Sequence, residues 1–203
     1  FGLLPKIIHN FRQSQPSLKI ELVELTTLEQ IEALKQGKID VGFGRLRISD
    51  PAIRRVLLRE EPLMVAAHSS HPLASQKQGI YLADLVEENL FLYPSHPKPN
   101  FSTQVRGLFS EYGLEPRSLR EVREIQLALG LVAAGEGICI VPESACSIQF
   151  PHLNYIPVLD DAAVSPIFLA IRSMDESEDI RSLFDCIYQV YDLEAIKYDR
   201  AVL

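Results

Sequence analysis

Apolar residues recur along this chain at two alternating spacings, one of about 3.6 residues and one of 2. Residues 1–13 place Leu3, Leu4, Ile7, Ile8 and Phe11 on one helical stripe, and Pro16 ends it. LKIELVEL, residues 18–25, alternates as a strand. Thr27 then stands as a helix cap with Gln30 three residues on, and the helix LEQIEALKQG closes at Gly37. IDVGFG, residues 39–44, is a nearly continuous apolar strand of the buried parallel kind. A second set follows, with strands over 62–68 and 90–93 and a short helix over 82–88 between them. Asn100 caps a helix over 101–112 that ends at Gly113. A strand over 119–123, a helix over 125–134 closed by Gly135, and a strand over 137–141 stopped by Pro142 come next. A last strand over 166–171 precedes a long helix, capped by Asp175, that runs to about Glu194.

Helices alternate with apolar strands twice, which predicts an α/β protein with parallel sheets in two Rossmann-like subdomains. The chain leaves the first sheet near residues 60–62 and returns near 164–166. Subdomain I is then 1–60 and 166–203, and subdomain II is 61–165. Two crossings make a hinge, and the cleft between two such sheets is where small ligands bind.

Composition narrows the class without naming a function. The 203 residues are 47% hydrophobic and 23% charged, as in an ordinary globular protein, and no apolar run is long enough to cross a bilayer. The formal charge of −7 gives the chain no basic footprint for nucleic acid. Cys139, Cys146 and Cys186 lie in apolar or helical stretches and read as reduced core residues of a cytoplasmic protein. The first residue is Phe1 rather than Met and its helix lacks a cap, so a segment upstream is expected to have been removed.

Catalytic signatures are missing. There is no G-x-S-x-G elbow, no P-loop and no G-x-G-x-x-G at a strand-to-helix turn. His68 and His71 precede a proline in a polar loop with no matched cysteines or acids, so no metal site is expected. No cofactor is expected either. What remains are helix starts with free backbone amides, at Thr27 and Asn100. Taken singly, each is a cap worth about 1 kcal/mol to its helix. Taken together, one per subdomain, they would face each other across the cleft and hold an anion with two carboxylates. Arg45, just beyond IDVGFG, is the nearest mobile positive charge, and reads equally well as a surface arginine.

PKIIHNFRQSQP, LEQIEALKQGKIDVGFG, the stretch 63–73 with its HPLA ending, 82–85 and EIQLALGLVAAGEGICIVP together run almost end to end. In these stretches the chain resembles the effector-binding domain of LysR-type transcriptional regulators, a fold like the type II periplasmic binding proteins. GFGRLRISDPAIRR, YPSHPKPNFSTQV and REIQLALGLVAAGEGI are similar to the muconate-responsive branch, the CatM/BenM type, which controls catechol and benzoate breakdown.

The resemblance implies an inducer, cis,cis-muconate, which is a flat dicarboxylate. Thr27 would bond one carboxylate through its hydroxyl and amide. Asn100 and the amide of Phe101 would take the other, with Pro99 shaping the loop and Ile167 lining the hinge. It also implies a second pocket for an aromatic acid such as benzoate, with Arg59, Tyr191 and Glu124 as its polar residues; an Arg59–Glu124 structural ion pair is the alternative. Family members carry an N-terminal winged helix-turn-helix, absent from this chain, and work as tetramers. Promoter DNA would therefore be a partner of the intact activator only. A solute-binding protein of a transporter for small organic acids would share the architecture, and an enzyme has no residues to support it.

Overall fold

Leu34 and Ile31 are buried under a helix of only nine residues, and the chain around them shows how each short element is fixed. The structure is a computed structural model that describes residues 2–200. Its helices are α1 (Leu3–Ser14), α2 (Thr27–Lys35), α3 (Phe101–Glu111), α4 (Ile125–Ala133) and α5 (Glu178–Leu193). Its strands are β1 (Gly42–Gly44), β2 (Ile53–His68), β3 (Asn89–Leu92), β4 (Ser118–Glu121), β5 (Ile138–Pro142), β6 (Leu153–Pro157) and β7 (Val164–Arg172). No helix among the described residues is long and apolar enough to cross a membrane.

The chain divides into two compact units, one of residues 1–60 and 166–203 and one of residues 61–165. In the first, β1 pairs antiparallel with β7, with Phe43 opposite Leu169. The apolar stripes of α1 and α5 supply its core, in which Ile7, Phe11, Phe184, Ile187 and Tyr191 are buried. A smaller cluster of Ile31, Leu34, Ile53 and Ala170 seats α2. In the second unit the later part of β2 pairs antiparallel with both β5 and β6, and β3 pairs parallel with β4 and β5. Two clusters cover this sheet, one containing Val105, Leu108 and Phe109 of α3 and the other Ala128, Leu129 and Val132 of α4. Gly137 stands at φ 158° just ahead of β5, where a Cβ would collide with the carbonyl oxygen of Asn89.

Four expectations need correction. The sheets are mixed rather than parallel, since β1–β7, β2–β5 and β2–β6 are all antiparallel. Residues 18–25 form no strand: Leu18 and Ile20 pack on the core, but Leu22 is 64% exposed and no described segment pairs with them. Alternation sets a face, and a strand also needs a ladder. The cap of α2 is Thr26, whose hydroxyl accepts from Glu29 N while the Glu29 carboxylate accepts from Thr26 N at 2.7 Å. That interaction lowers the Glu29 pKa. Thr27 is thus the first helical residue, its hydroxyl outside the capping box. Last, α5 is capped at Ser177, and Asp175 lies before it, accepting from Ser177 N at 3.2 Å and pairing with Arg172 at 3.1 Å. The expected start of the first helix at Phe1 lies outside the described residues.

Three cysteines are free thiols, Cys139 and Cys186 buried and Cys146 partly so. Burial raises the pKa of each, that of Cys146 to about 11.

Candidate anion-binding site

In the first unit the start of α2 lies against β1. Gln30 Nε2 donates to Leu25 O at 3.0 Å and to Phe43 O at 2.9 Å, tying the helix to the loop before it and to the strand. Gly42 leaves the room: a Cβ there would stand 2.5 Å from Gln30 Oε1. Two residues on, a Cβ on Gly44 would lie 3.0 Å from Thr27 Oγ1 and 3.5 Å from Arg55 Nη2. The missing side chain therefore leaves a small notch bordered by a hydroxyl and a guanidinium. Arg45 follows directly and is partly buried.

Arg55 was not singled out by its pattern, because RISDPAIRR interleaves charge with the buried Ile53 and Val56 and hides the first half of β2. Its guanidinium carbon stands 4.5 Å from the centroid of the Phe168 ring, and Nη1 donates to Leu46 O and to Ile48 O. Its Nε and Nη2 are buried and have no hydrogen-bond partner among the described residues. Burial lowers its pKa, which remains that of a permanently charged group. A buried guanidinium with unused donors is costly unless an anion or water meets it.

Elsewhere in the same unit Arg59 and Tyr191 come together. Both are buried, and the Arg59 guanidinium carbon lies 5.6 Å from the Tyr191 ring centroid. Ile167 on β7 is partly buried against the same core.

The second unit carries the start of α3. Asn100, 7% exposed, is a cap whose Oδ1 accepts from Thr103 N at 3.1 Å. Its Nδ2 donates to Pro94 O at 2.8 Å and to Pro97 O at 2.7 Å. Both ends of its amide are thereby used in folding the proline loop. It thereby aims the helix start, while the first-turn amides of Phe101 and Ser102 have no intrahelical acceptor. Phe101 is buried and meets Tyr93 at 5.4 Å between ring centroids. Pro99 is exposed in the loop, which holds cis bonds before Pro94, Pro97 and Pro99.

Glu121 secures this turn from β4. Its Oε1 accepts from Lys98 Nζ at 2.9 Å, from Ser102 Oγ at 2.9 Å and from Arg106 Nε at 3.0 Å. Chiefly the Lys98 bond, followed by those from Ser102 and Arg106, holds its pKa down at about 2 against burial. No sequence motif marks this cluster, since its members lie on a loop, a helix and a strand.

Glu124 is the exposed N-cap residue of α4, with no side-chain cap bond. With Ser95, His96 and Arg123 it lines an open polar cavity of about 410 Å³. Of the nine residues singled out, the structure joins Arg59 to Tyr191, and Pro99 and Asn100 to Phe101; Glu124 belongs to the other unit from Arg59. Among the described residues no group of three or more His, Cys, Asp or Glu side chains could hold a metal.

Comparison with known proteins adds the family. The chain is 60% identical over 195 residues to the HTH-type transcriptional regulator BenM of Acinetobacter baylyi, covering 96% of this chain and 64% of that protein. It is 40% identical over 189 residues to the HTH-type transcriptional regulator CatR of Pseudomonas putida, covering 93% and 64%. It thus spans less than two thirds of the length of these relatives, which are regulators and not enzymes. The solved structure of the BenM effector-binding domain with its effector benzoate matches at TM-score 0.96 and 58% identity, over all of this chain and 91% of that one. Full-length CbnR in complex with its target DNA matches at TM-score 0.82 and 31% identity, over 92% and 65%. The fold is the mixed α/β fold of these effector-binding domains, akin to type II periplasmic binding proteins. Residues 1–192 match the LysR substrate-binding domain, and the chain belongs to that family.

Proposed function

We propose that this chain is the inducer-sensing domain of a LysR-type activator of genes for breakdown of catechol or benzoate. One carboxylate of cis,cis-muconate sits in the notch at Gly44, bonded by the Thr27 hydroxyl and amide, with Arg45 and the buried Arg55 supplying charge. In the second unit the first turn of α3 at Phe101, held in shape by Asn100 and Pro99, is likewise a place for a carboxylate, and Ile167 packs on the core of the first unit. A second ligand, an aromatic acid such as benzoate, pairs with Arg59 beside Tyr191. Promoter DNA is bound by an N-terminal helix-turn-helix of the intact cytoplasmic protein, which works as a tetramer.

One observation carries the reading. The Gly44 notch brings a hydroxyl and a buried guanidinium with unused donors to a helix start. That is a place for an oxyanion, since the positive end of the helix and the donors all favour negative charge. Likeness to a domain whose structure was solved with its effector benzoate supports a carboxylic acid as the ligand. The inducer acts by binding one arrangement of the protein better than another, because affinity alone shifts no equilibrium.

A thermal-shift series with cis,cis-muconate, benzoate and a neutral diamide of similar length tests the reading. A ligand at about a hundred times its Kd adds about 2.7 kcal/mol, worth roughly 5–10 °C for a chain of this size. The acids should raise the melting temperature and the diamide should not. If no acid does, the reading fails.

A further inference from the structure

Beyond α5 the chain doubles back on itself. Ala195 has φ 53°, a left-handed residue that ends the helix, and Ile196 N donates to Tyr191 O at 2.9 Å. The turn lays Tyr198 on α5. Its ring stacks on Tyr188 at 5.1 Å between centroids and 13° between planes, and it meets Tyr191 edge-on at 5.4 Å. Its hydroxyl donates to Asp192 Oδ1 at 2.8 Å. Arg200 adds a contact with Asp185 at 3.0 Å and lies 5.2 Å from the Tyr188 centroid. Tyr191 is the same ring that carries the Arg59 guanidinium.

The geometry points to Tyr198 as a positioning residue for the Arg59–Tyr191 site, with the tail 195–200 as a strap whose docking and aromatic-acid binding reinforce each other. It rests on the reading that Arg59 receives an aromatic carboxylate. The Arg200–Asp185 pair is exposed at both ends and contributes little, so the stacking of Tyr198 holds the strap down. The stack on Tyr188 anchors Tyr198, whose edge-on contact then holds the Tyr191 ring, and Tyr191 in turn bounds the space in which the guanidinium can move. Removing Tyr198 leaves both the ring and the guanidinium freer, and the ligand must then order them as it binds. By reciprocity, a ligand that orders them also favours the docked strap.

Lys197 is exposed within the strap, so trypsin reads its docking. Calorimetry with benzoate and with cis,cis-muconate would be run on the wild type, Tyr198→Phe, Tyr198→Ala and Arg59→Ala. Tyr198→Ala should bind benzoate about three- to tenfold more weakly, the size of the lost ring contacts, with muconate affinity within about twofold. Tyr198→Phe, which keeps the stack, should restore benzoate binding. Saturating benzoate should slow cleavage after Lys197 several-fold in the wild type and not in Arg59→Ala. Unchanged benzoate affinity in Tyr198→Ala while Arg59→Ala loses it overturns the strap alone. Equal weakening of both ligands, or cleavage that ignores benzoate, also overturns it. Benzoate binding to Arg59→Ala as to the wild type removes the Arg59 site, and the strap proposal with it.

Discussion

Replacing Gly44 by alanine puts one methyl group into the notch proposed for a carboxylate. The new carbon would stand 3.0 Å from Thr27 Oγ1, 3.5 Å from Arg55 Nη2 and 3.6 Å from Thr27 Cγ2. Ordinary contact begins near 3.4 Å, so only the hydroxyl must retreat, by a few tenths of an ångström. Folding should scarcely notice. Alanine restricts the unfolded chain and returns about 0.4–1 kcal/mol, which offsets crowding of similar size. Ligand binding should notice, because a hydrogen bond from the hydroxyl to a carboxylate is worth about 1.5–3 kcal/mol and the methyl occupies the approach. Losing about half to all of one such bond weakens cis,cis-muconate roughly 4- to 150-fold. Calorimetric titration alongside a thermal melt separates the two effects. A variant that melts within about 2 °C of the wild type and binds muconate equally well would refute the placement of the carboxylate at Gly44.

Further outcomes follow from the start of α3. The Glu121 carboxyl is held at about 2 against an ordinary 4.5, so its contribution to stability is complete above about pH 4.5 and is lost as pH falls towards 2. The urea-midpoint difference between wild type and Glu121→Gln should therefore be large at pH 7, smaller at pH 3 and nearly gone at pH 2; a constant difference would mean that the charge is not what holds the turn. Asn100→Ala removes the cap and strips two carbonyls of the proline loop of their donor, at a cost of about 2–3 kcal/mol in urea unfolding. A loss below about 0.5 kcal/mol would show that the loop does not depend on that amide.

Much of the layout was legible because periodicity records burial. The stripe of Leu3, Ile7 and Phe11 became α1, and LVAAGEGICIVP became a helix, a glycine turn and a fully buried β5. Periodicity does not record partners. Residues 18–25 alternate but pair with no described segment, and the GFG of β1 joins β7 antiparallel, though the pattern read as a parallel strand. The first half of β2 was hidden because Arg54, Arg55 and Arg59 interrupt its apolar positions, although Arg59 itself ends 8% exposed. Capping was misplaced by one residue in the TT pair, as either threonine precedes a plausible N3 acid or amide; geometry selects Thr26 with Glu29.

The candidate site divided in the same way. Asn100 and Phe101 were visible as a cap followed by a helix, and the structure keeps them so. Their supports were not. Glu121 meets Lys98, Ser102 and Arg106 across separations of 15 to 23 residues, a distance at which no local spacing rule operates. Arg55 reaches Thr27 only through the absent side chain of Gly44, a relation that sequence cannot display.

The most direct test of the account is a calorimetric titration of cis,cis-muconate into the wild-type chain and into Thr27→Val, which keeps the shape of the side chain and removes its hydroxyl. The wild type should bind saturably and the variant at least about tenfold more weakly, the size of one charge-assisted hydrogen bond. Equal affinities would contradict it.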